Sequence, residues 1–303
     1  MNSSTPFYDV IIVGGSYAGL SAALLLGRSL RTVLVLDNGQ PANRQTPHSH
    51  SFLTRDGETP AHLSTIARQQ ALAYPTVQFR EVTATQAVRS DDGFAVTAQT
   101  GETFRAKRLL LATGLKDVLP DLPGFAECWG ISVLHCPFCH GYEVKDKTVG
   151  VLGNGDAGFE MVKKIQHWNP GLTLLTNGPS TLTPDQTAKL RQRGIQIVET
   201  PIVALQHQQG QLQALKLADQ TTLPLDALYA HPTLRQACDL AEQLGCQLDE
   251  KGFVVINEMG KTTVEGVFAA GDTHTMMRQV LVAAHSGLKA SFGINMELFE
   301  EAF

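Results

Sequence analysis

Long apolar runs are missing from this chain. The longest, Val10–Val13 and Leu109–Ala112, are strand-sized, far short of the ~20 residues a helix needs to cross a bilayer, so no membrane span is expected. Basic clusters are missing as well. A formal net charge of -5 and scattered Lys and Arg residues leave no stripe for a phosphate backbone, which excludes nucleic acid as the expected partner. The polar start, Met1–Thr5, has no basic region leading into an apolar one, so no export signal is read and a cytoplasmic location is expected. Cysteine is scarce: of five, Cys128, Cys238 and Cys246 stand alone. That is no disulfide framework, and a close pair in a reducing compartment points to catalysis more than to stapling. What remains is an ordinary globular composition, 43% hydrophobic and 17% charged over 303 residues, more naturally split into two domains than packed as one.

The close pair lies in His135-Cys136-Pro137-Phe138-Cys139-His140. Two cysteines separated by two residues can close a small disulfide ring, and a thiol beside a helix start or a cation becomes nucleophilic. A zinc reading competes, because the outer side chains are His, Cys, Cys and His. Each His is the immediate neighbour of a Cys, however, whereas closed structural sites space their ligand pairs apart, so no metal is assigned. Two buried cysteines that merely pack are the bland alternative. His140, with an imidazole that titrates near working pH, is the candidate acid/base for the pair.

Two glycine turns flank this segment. The first, Gly14-Gly15-Ser16-Tyr17-Ala18-Gly19, follows an apolar strand and opens a helix, and the next strand ends on Asp37, 23 residues after Gly14. That is the order of a Rossmann unit: a tight turn, a helix N-terminus facing a pyrophosphate and an acid placed for a ribose hydroxyl. Ser16 replaces the usual middle glycine. The loop from Gly39 to Gly57 carries Gln40, Arg44, His48 and His50; the two histidines are read as solvated, with approach to a cofactor as the alternative. Strands are expected at Val77–Val88, Phe94–Thr97 and Arg108–Ala112, the last closing on Thr113-Gly114. The second turn, Gly153-Asn154-Gly155-Asp156-Ala157-Gly158, has all three glycines, with a helix over Phe159–His167. After its second strand come Thr176-Asn177-Gly178-Pro179, with neither an acid for a ribose nor an arginine for a 2′-phosphate. Leu234–Leu244 reads as a helix stopped by Gly245, Phe253–Ile256 and Val267–Ala270 as strands, and Thr273–Phe292 as largely helical. Gly271-Asp272 at a strand end would bind a polyol hydroxyl or simply cap a helix.

In this order the motifs resemble the low-molecular-weight thioredoxin reductases among the flavin disulfide oxidoreductases. The resemblance rests on Gly14–Gly19, Leu109–Gly114, the Cys136 and Cys139 pair ahead of a second glycine turn, and Val264–Asp272 with Arg278-Gln279. It implies an α/β fold of two Rossmann-like (three-layer ββα) nucleotide-binding domains, the second inserted into the first: residues 1–116 with 245–303 for FAD, and 117–244 carrying the cysteines. It also implies FAD held by Gly14, Gly15, Ser16, Ala18, Gly19, Asp37, Gly39, Gln40, Arg44, Thr113, Gly114, Gly271 and Asp272, with Arg278, Gln279 and Val280 near its ring. Cys139 would face the flavin while Cys136 exchanges with substrate, and the protein would be a homodimer. Three departures, His140 in place of an acid, Asn177-Gly178-Pro179-Ser180 after the second nucleotide strand with no arginine from there to Arg191, and Ala230-His231-Pro232 at a strand end, are similar to the dithiol oxidases of the gliotoxin and holomycin type, whose flavin passes electrons to oxygen. The implied substrate is a small dithiol or disulfide, or a thioredoxin-like protein. An NAD(P)H-dependent reductase, a reductase fed by another electron-donor protein, and a redox-sensing scaffold without turnover are the alternatives.

Overall fold

The apolar run after Asp9 becomes the inner part of β1 (Phe7–Val13), buried throughout from Val10 onward as a central parallel strand must be. The structure, a computed structural model, describes residues 6–303; the polar leader Met1–Thr5 lies outside the described residues. Next come α1 (Tyr17–Arg28), β2 (Val33–Asp37) and α2 (Pro60–Leu72), whose start is fixed by the Thr59 hydroxyl accepting from the His62 N–H at 3.2 Å and by Pro60 in the first turn. The single strand expected over Val77–Val88 is two: β3 (Val77–Glu81) pairs with β2, while β4 (Ala84–Ser90) pairs with β5 (Gly93–Ala98). The two pieces belong to opposite edges of one sheet, so the chain breaks between them. Then follow β6 (Thr103–Leu111), β7 (Leu115–Val118), α3 (Phe125–Cys128), β8 (Val133–Leu134), α4 (Pro137–Val144), β9 (Val149–Leu152), α5 (Gly155–Ile165), β10 (Thr173–Leu175), α6 (Pro184–Gln192) and β11 (Gln196–Val198). The chain ends with β12 (Ile202–Gln208), β13 (Gln211–Leu217), β14 (Thr222–Pro224), β15 (Ala227–Ala230), β16 (Thr233–Gln236), α7 (Leu240–Gln243), β17 (Val267–Ala269) and α8 (Val280–Ala302).

These elements form two units. One runs through Arg44 and adds Phe52–Lys116 and Leu234–Phe303; the other is Gln45–Ser51 with Asp117–Thr233. The first holds a sheet ordered β3-β2-β1-β6-β5-β4, with β17 beside β6. Strand alternation sends Ile11 to a core with Phe94 and Leu109, and Ile12 to another with Leu26 and Phe268. The second unit holds a parallel sheet ordered β11-β10-β9-β15-β8, with the antiparallel β12-β13-β14 as a separate sheet. Both are Rossmann-like, and the second interrupts the first. Among the described residues no helix is long and apolar enough to cross a membrane.

Three expectations need correction. Residues 234–244 are not one helix: 233–236 form β16, which pairs with β7, and only Leu240–Gln243 are helical. They also belong with the first unit, because Leu240 and Ala241 join the core of Ile11 and Phe94, and the Gln243 amide both accepts from the Ala87 N–H and donates to the Thr85 carbonyl. Phe253–Ile256 makes isolated bridges instead of a strand. The last helix starts at Val280, after a 3₁₀ turn over Gly271–His274, and runs on to Ala302.

Candidate active site

Cys136 and Cys139 are joined as a disulfide with their Cα atoms 5.3 Å apart. α4 starts between the two cysteines, because Pro137 is suited to a first helical position. Cys136 thereby becomes the N-cap, and its Sγ accepts the Cys139 N–H at 3.2 Å. A thiolate left on Cys136 would meet the same donor and the positive end of the helix. Phe138, between the cysteines, is 69% exposed and stands edge-on to Trp168, ring centres 5.7 Å apart. The other three cysteines are of another kind: burial pushes the thiols of Cys128, Cys238 and Cys246 up, toward the unreactive protonated form.

His140, one residue beyond Cys139, is pushed below the ordinary imidazole range by burial, with the Glu143 carboxylate pulling it up and His50 pushing it down. His50 Nε2 lies 3.4 Å from Glu143 Oε1, and the His48 and His50 rings are 6.5 Å apart. The loop histidines thus belong to the second unit: His48 is exposed, as a solvated loop residue is, whereas His50 is half-buried beside the redox helix. Glu143 had a legible signal, since it is one helical turn from His140 once the helix start is known. His50 had none. Among the described residues no group of three His, Cys, Asp or Glu side chains is placed to hold a metal ion.

The first glycine turn is a cradle in the first unit. Gly14 has φ +107°, and a Cβ there would overlap the Ala112 carbonyl; a Cβ on Gly19 would overlap the Gly14 carbonyl, so the glycines let β1, α1 and the end of β6 close on one another. Asp37 Oδ1 accepts the Gly15 N–H at 2.7 Å and its Oδ2 the Gly39 N–H at 3.0 Å. Ser16 is the N-cap of α1 and its hydroxyl makes no capping bond, and no acidic residue lies in the first turn. That start fits a dinucleotide pyrophosphate, which needs backbone donors and no competing negative charge. Gln40 donates its backbone N–H to Asn38 Oδ1, and Arg44 donates to the Pro41 carbonyl. Thr113 and Gly114 follow β6 after Ala112, and the Gly114 carbonyl accepts the Ala237 N–H at 3.1 Å. Gly271 packs against Ala18, where a Cβ would come within 2.9 Å of the alanine methyl. Its N–H donates to Ser286 Oγ, which also shares a 2.8 Å hydrogen bond with His274, a network the sequence reading missed. Asp272 Oδ2 lies 3.3 Å from Arg278 Nε; Gln279 is the N-cap of α8 and Val280 its first residue.

The second glycine turn is closed from within its own unit. Asn154 caps α5, and its Oδ1 accepts the N–H groups of Gly155 and Thr181, both at 2.8 Å, while its Nδ2 donates to the Pro179 carbonyl at 2.9 Å. Thr181 Oγ1 stands 2.8 Å from where a Cβ of Gly155 would be. Two carboxylates flank the arrangement: Asp156 accepts from Gln186 Nε2 at 2.7 Å and Glu199 from the Ser180 N–H at 3.0 Å. Where a phosphate would need donors, the Gly155 N–H is already taken by Asn154, which also ties the loop after β10 to the helix start.

The family model of the pyridine nucleotide-disulphide oxidoreductases matches residues 8–287. Thioredoxin reductase sirT of Leptosphaeria maculans is 31% identical to this chain, over 98% of it and 96% of the relative. A putative thioredoxin reductase TrxB from Bacillus anthracis superposes with a TM-score of 0.93 at 31% identity, covering 98% of this chain and 100% of its own. An oxidoreductase from Agrobacterium tumefaciens does so with a TM-score of 0.90 at 36% identity, covering 97% and 99%. The chain therefore belongs to the pyridine nucleotide-disulphide oxidoreductase family, as a thioredoxin reductase-like flavoenzyme that uses FAD.

Proposed function

We propose that this enzyme oxidises a dithiol at the Cys136–Cys139 disulfide and passes the electron pair to FAD, with no pyridine nucleotide as donor. The observation that carries the reading is the closed second turn. An enzyme fed by NAD(P)H must lay a pyrophosphate on that turn, and here Asn154 is bonded across it to both Pro179 and Thr181, with Asp156 and Glu199 adding negative charge.

The roles follow from the local chemistry. A substrate thiol gives its proton to His140 and its sulfur attacks Cys136; the disulfide breaks and the electron pair leaves on Cys139 as thiolate. The second substrate thiol, losing its proton in turn, closes the product disulfide, and Cys136 leaves as a thiolate facing the first turn of α4, a leaving group stabilised by the helix end; the pair re-forms its disulfide when the two electrons are passed on. FAD, when bound, supplies the two-electron acceptor, which dioxygen regenerates with one peroxide formed per disulfide. Gly14, Gly15, Ser16, Ala18, Gly19, Asp37, Gly39, Gln40, Arg44, Thr113 and Gly114 would hold its adenosine and pyrophosphate half, Gly271 and Asp272 its ribitol, and Arg278, Gln279 and Val280 would lie near its ring. The substrate is a small dithiol or a thioredoxin-like protein. A homodimer in the cytoplasm completes the reading; an apolar row left exposed along α8, Leu281, Leu288, Phe292, Met296 and Phe299, supports the self-association.

The rival, an NAD(P)H-fed disulfide reductase, is favoured by the names of the relatives. Oxygen uptake separates the two. With dithiothreitol in air and no pyridine nucleotide, we expect steady turnover with one peroxide per dithiol oxidised; turnover that begins only when NADPH or NADH is added would sink the proposal.

A further inference from the structure

Three titratable side chains meet at the redox helix although they come from separate stretches of chain. His140 and Glu143 are one turn apart on α4, and His50 arrives from the Gln45–Ser51 loop to lie 3.4 Å from Glu143. The loop's place is built in. Gln45 Nε2 donates to the Ala126 carbonyl at 3.1 Å, Thr46 packs where Gly130 lacks a side chain, and Ser49 is buried. Glu143 is the member that reaches solvent: its side chain is 40% exposed, against 23% for His50. Tyr229 on β15 is fully buried, and its hydroxyl has no hydrogen-bond partner among the described residues; burial and the nearby Glu143 charge hold it firmly protonated.

We propose that His50 and Glu143 are positioning residues that form, with His140, a proton relay from the Cys136–Cys139 pair to solvent. The proposal rests on the dithiol reading above. In each exchange one S–S bond forms as another breaks, the electron pair departs with the leaving sulfur, and one proton is displaced from the attacking thiol. His140 receives that proton, the Glu143 carboxylate holds the resulting imidazolium and, as the more exposed group, hands the proton to solvent, while His50, 3.4 Å from the same carboxylate, sets its position. The charged groups that bear on His140 are Glu143 and His50; Glu143 also bears on Tyr229, and the His48 ring lies 6.5 Å from that of His50. Glu143 pulls the His140 proton in and His50 opposes it, so removing each must act in opposite senses.

The test uses the full-length flavoprotein with Glu143→Gln, His50→Gln and the charge-preserving Glu143→Asp. The His140 ring, assigned with His140→Gln, is titrated by NMR in the oxidised protein, and the pH profile of anaerobic disulfide reduction by dithiothreitol is recorded in parallel. We expect Glu143→Gln to move both the ring titration and the acid limb of the rate to lower pH, His50→Gln to move both higher, and Glu143→Asp to stay near the parent. A merely structural role for either residue would leave the titration in place or move it the same way in both variants, and that result overturns the relay. If dithiothreitol fails to reduce the parent flavin, the dithiol reading falls, and the NMR titration alone still decides the relay.

Discussion

At His140, burial favours the neutral ring and the Glu143 carboxylate favours the charged one, and burial wins. A ring that is neutral in the resting enzyme can accept a thiol proton, as a general base must. Replacing it by Gln should slow dithiol-driven flavin bleaching by about 10²-fold, the usual worth of a positioned base. Stopped-flow absorbance with dithiothreitol measures this; an unchanged rate would remove His140 from the mechanism. The cysteine pair, the first glycine turn and Asp37 were legible from the sequence, because each depends on spacing along a short stretch. His50 was not, since its partner Glu143 is distant in the chain and only the docking of the Gln45–Ser51 loop joins them.

Two elements carry direct tests. In the turn from β1 to α1, a methyl on Gly19 would overlap the Gly14 carbonyl, and neither backbone can retreat from the other. Gly19→Ala should therefore be purified without bound flavin, read as the ratio of 450 nm to 280 nm absorbance; a fully yellow variant would contradict the cradle. In the turn from β9 to α5, Asn154 joins the helix start to Pro179 and Thr181. Asn154→Ala should destabilise that closure by ~1–3 kcal/mol, the cost of leaving its partners unpaired. Hydrogen exchange over residues 177–183 should speed up accordingly, and unchanged protection would mean that the loop is held by something else. NADPH should still not bind, because Asp156 and Glu199 remain. Element type was legible wherever strand and helix alternate, as in β1, α1, β2 and α2. It failed at 77–88 and 234–244, where long-range pairing sets the structure: β3 and β4 at opposite sheet edges, and β16 on β7.

Over the whole molecule, His140, His231 and His274 are all pushed below 6.5 by burial, with Lys164 adding to the effect at His231 and Lys289 at His274. The unfolded chain takes up protons on these rings at about pH 6.5, while the folded protein resists until lower pH. Between the two the unfolded state binds more protons, so stability falls as pH drops from about 6.5. Urea midpoints measured from about pH 8 to pH 5 should be flat above that value and decline below it, and His274→Gln should flatten part of the decline. A midpoint that rose on acidification would contradict the buried neutral rings. The order of the motifs made the two-unit layout legible, since a Rossmann pattern that restarts midway implies a second unit. The closure of the second turn was not, because it depends on how the loop after β10 folds back over α5.

The account depends most on where electrons enter. The direct measurement is an anaerobic titration of the flavin absorbance of the purified enzyme with dithiothreitol, NADPH and NADH in turn. The account predicts full bleaching by about two equivalents of dithiothreitol, one for the disulfide and one for the flavin, and no change with either nucleotide; bleaching by NADPH or NADH, with dithiothreitol inert, would contradict it.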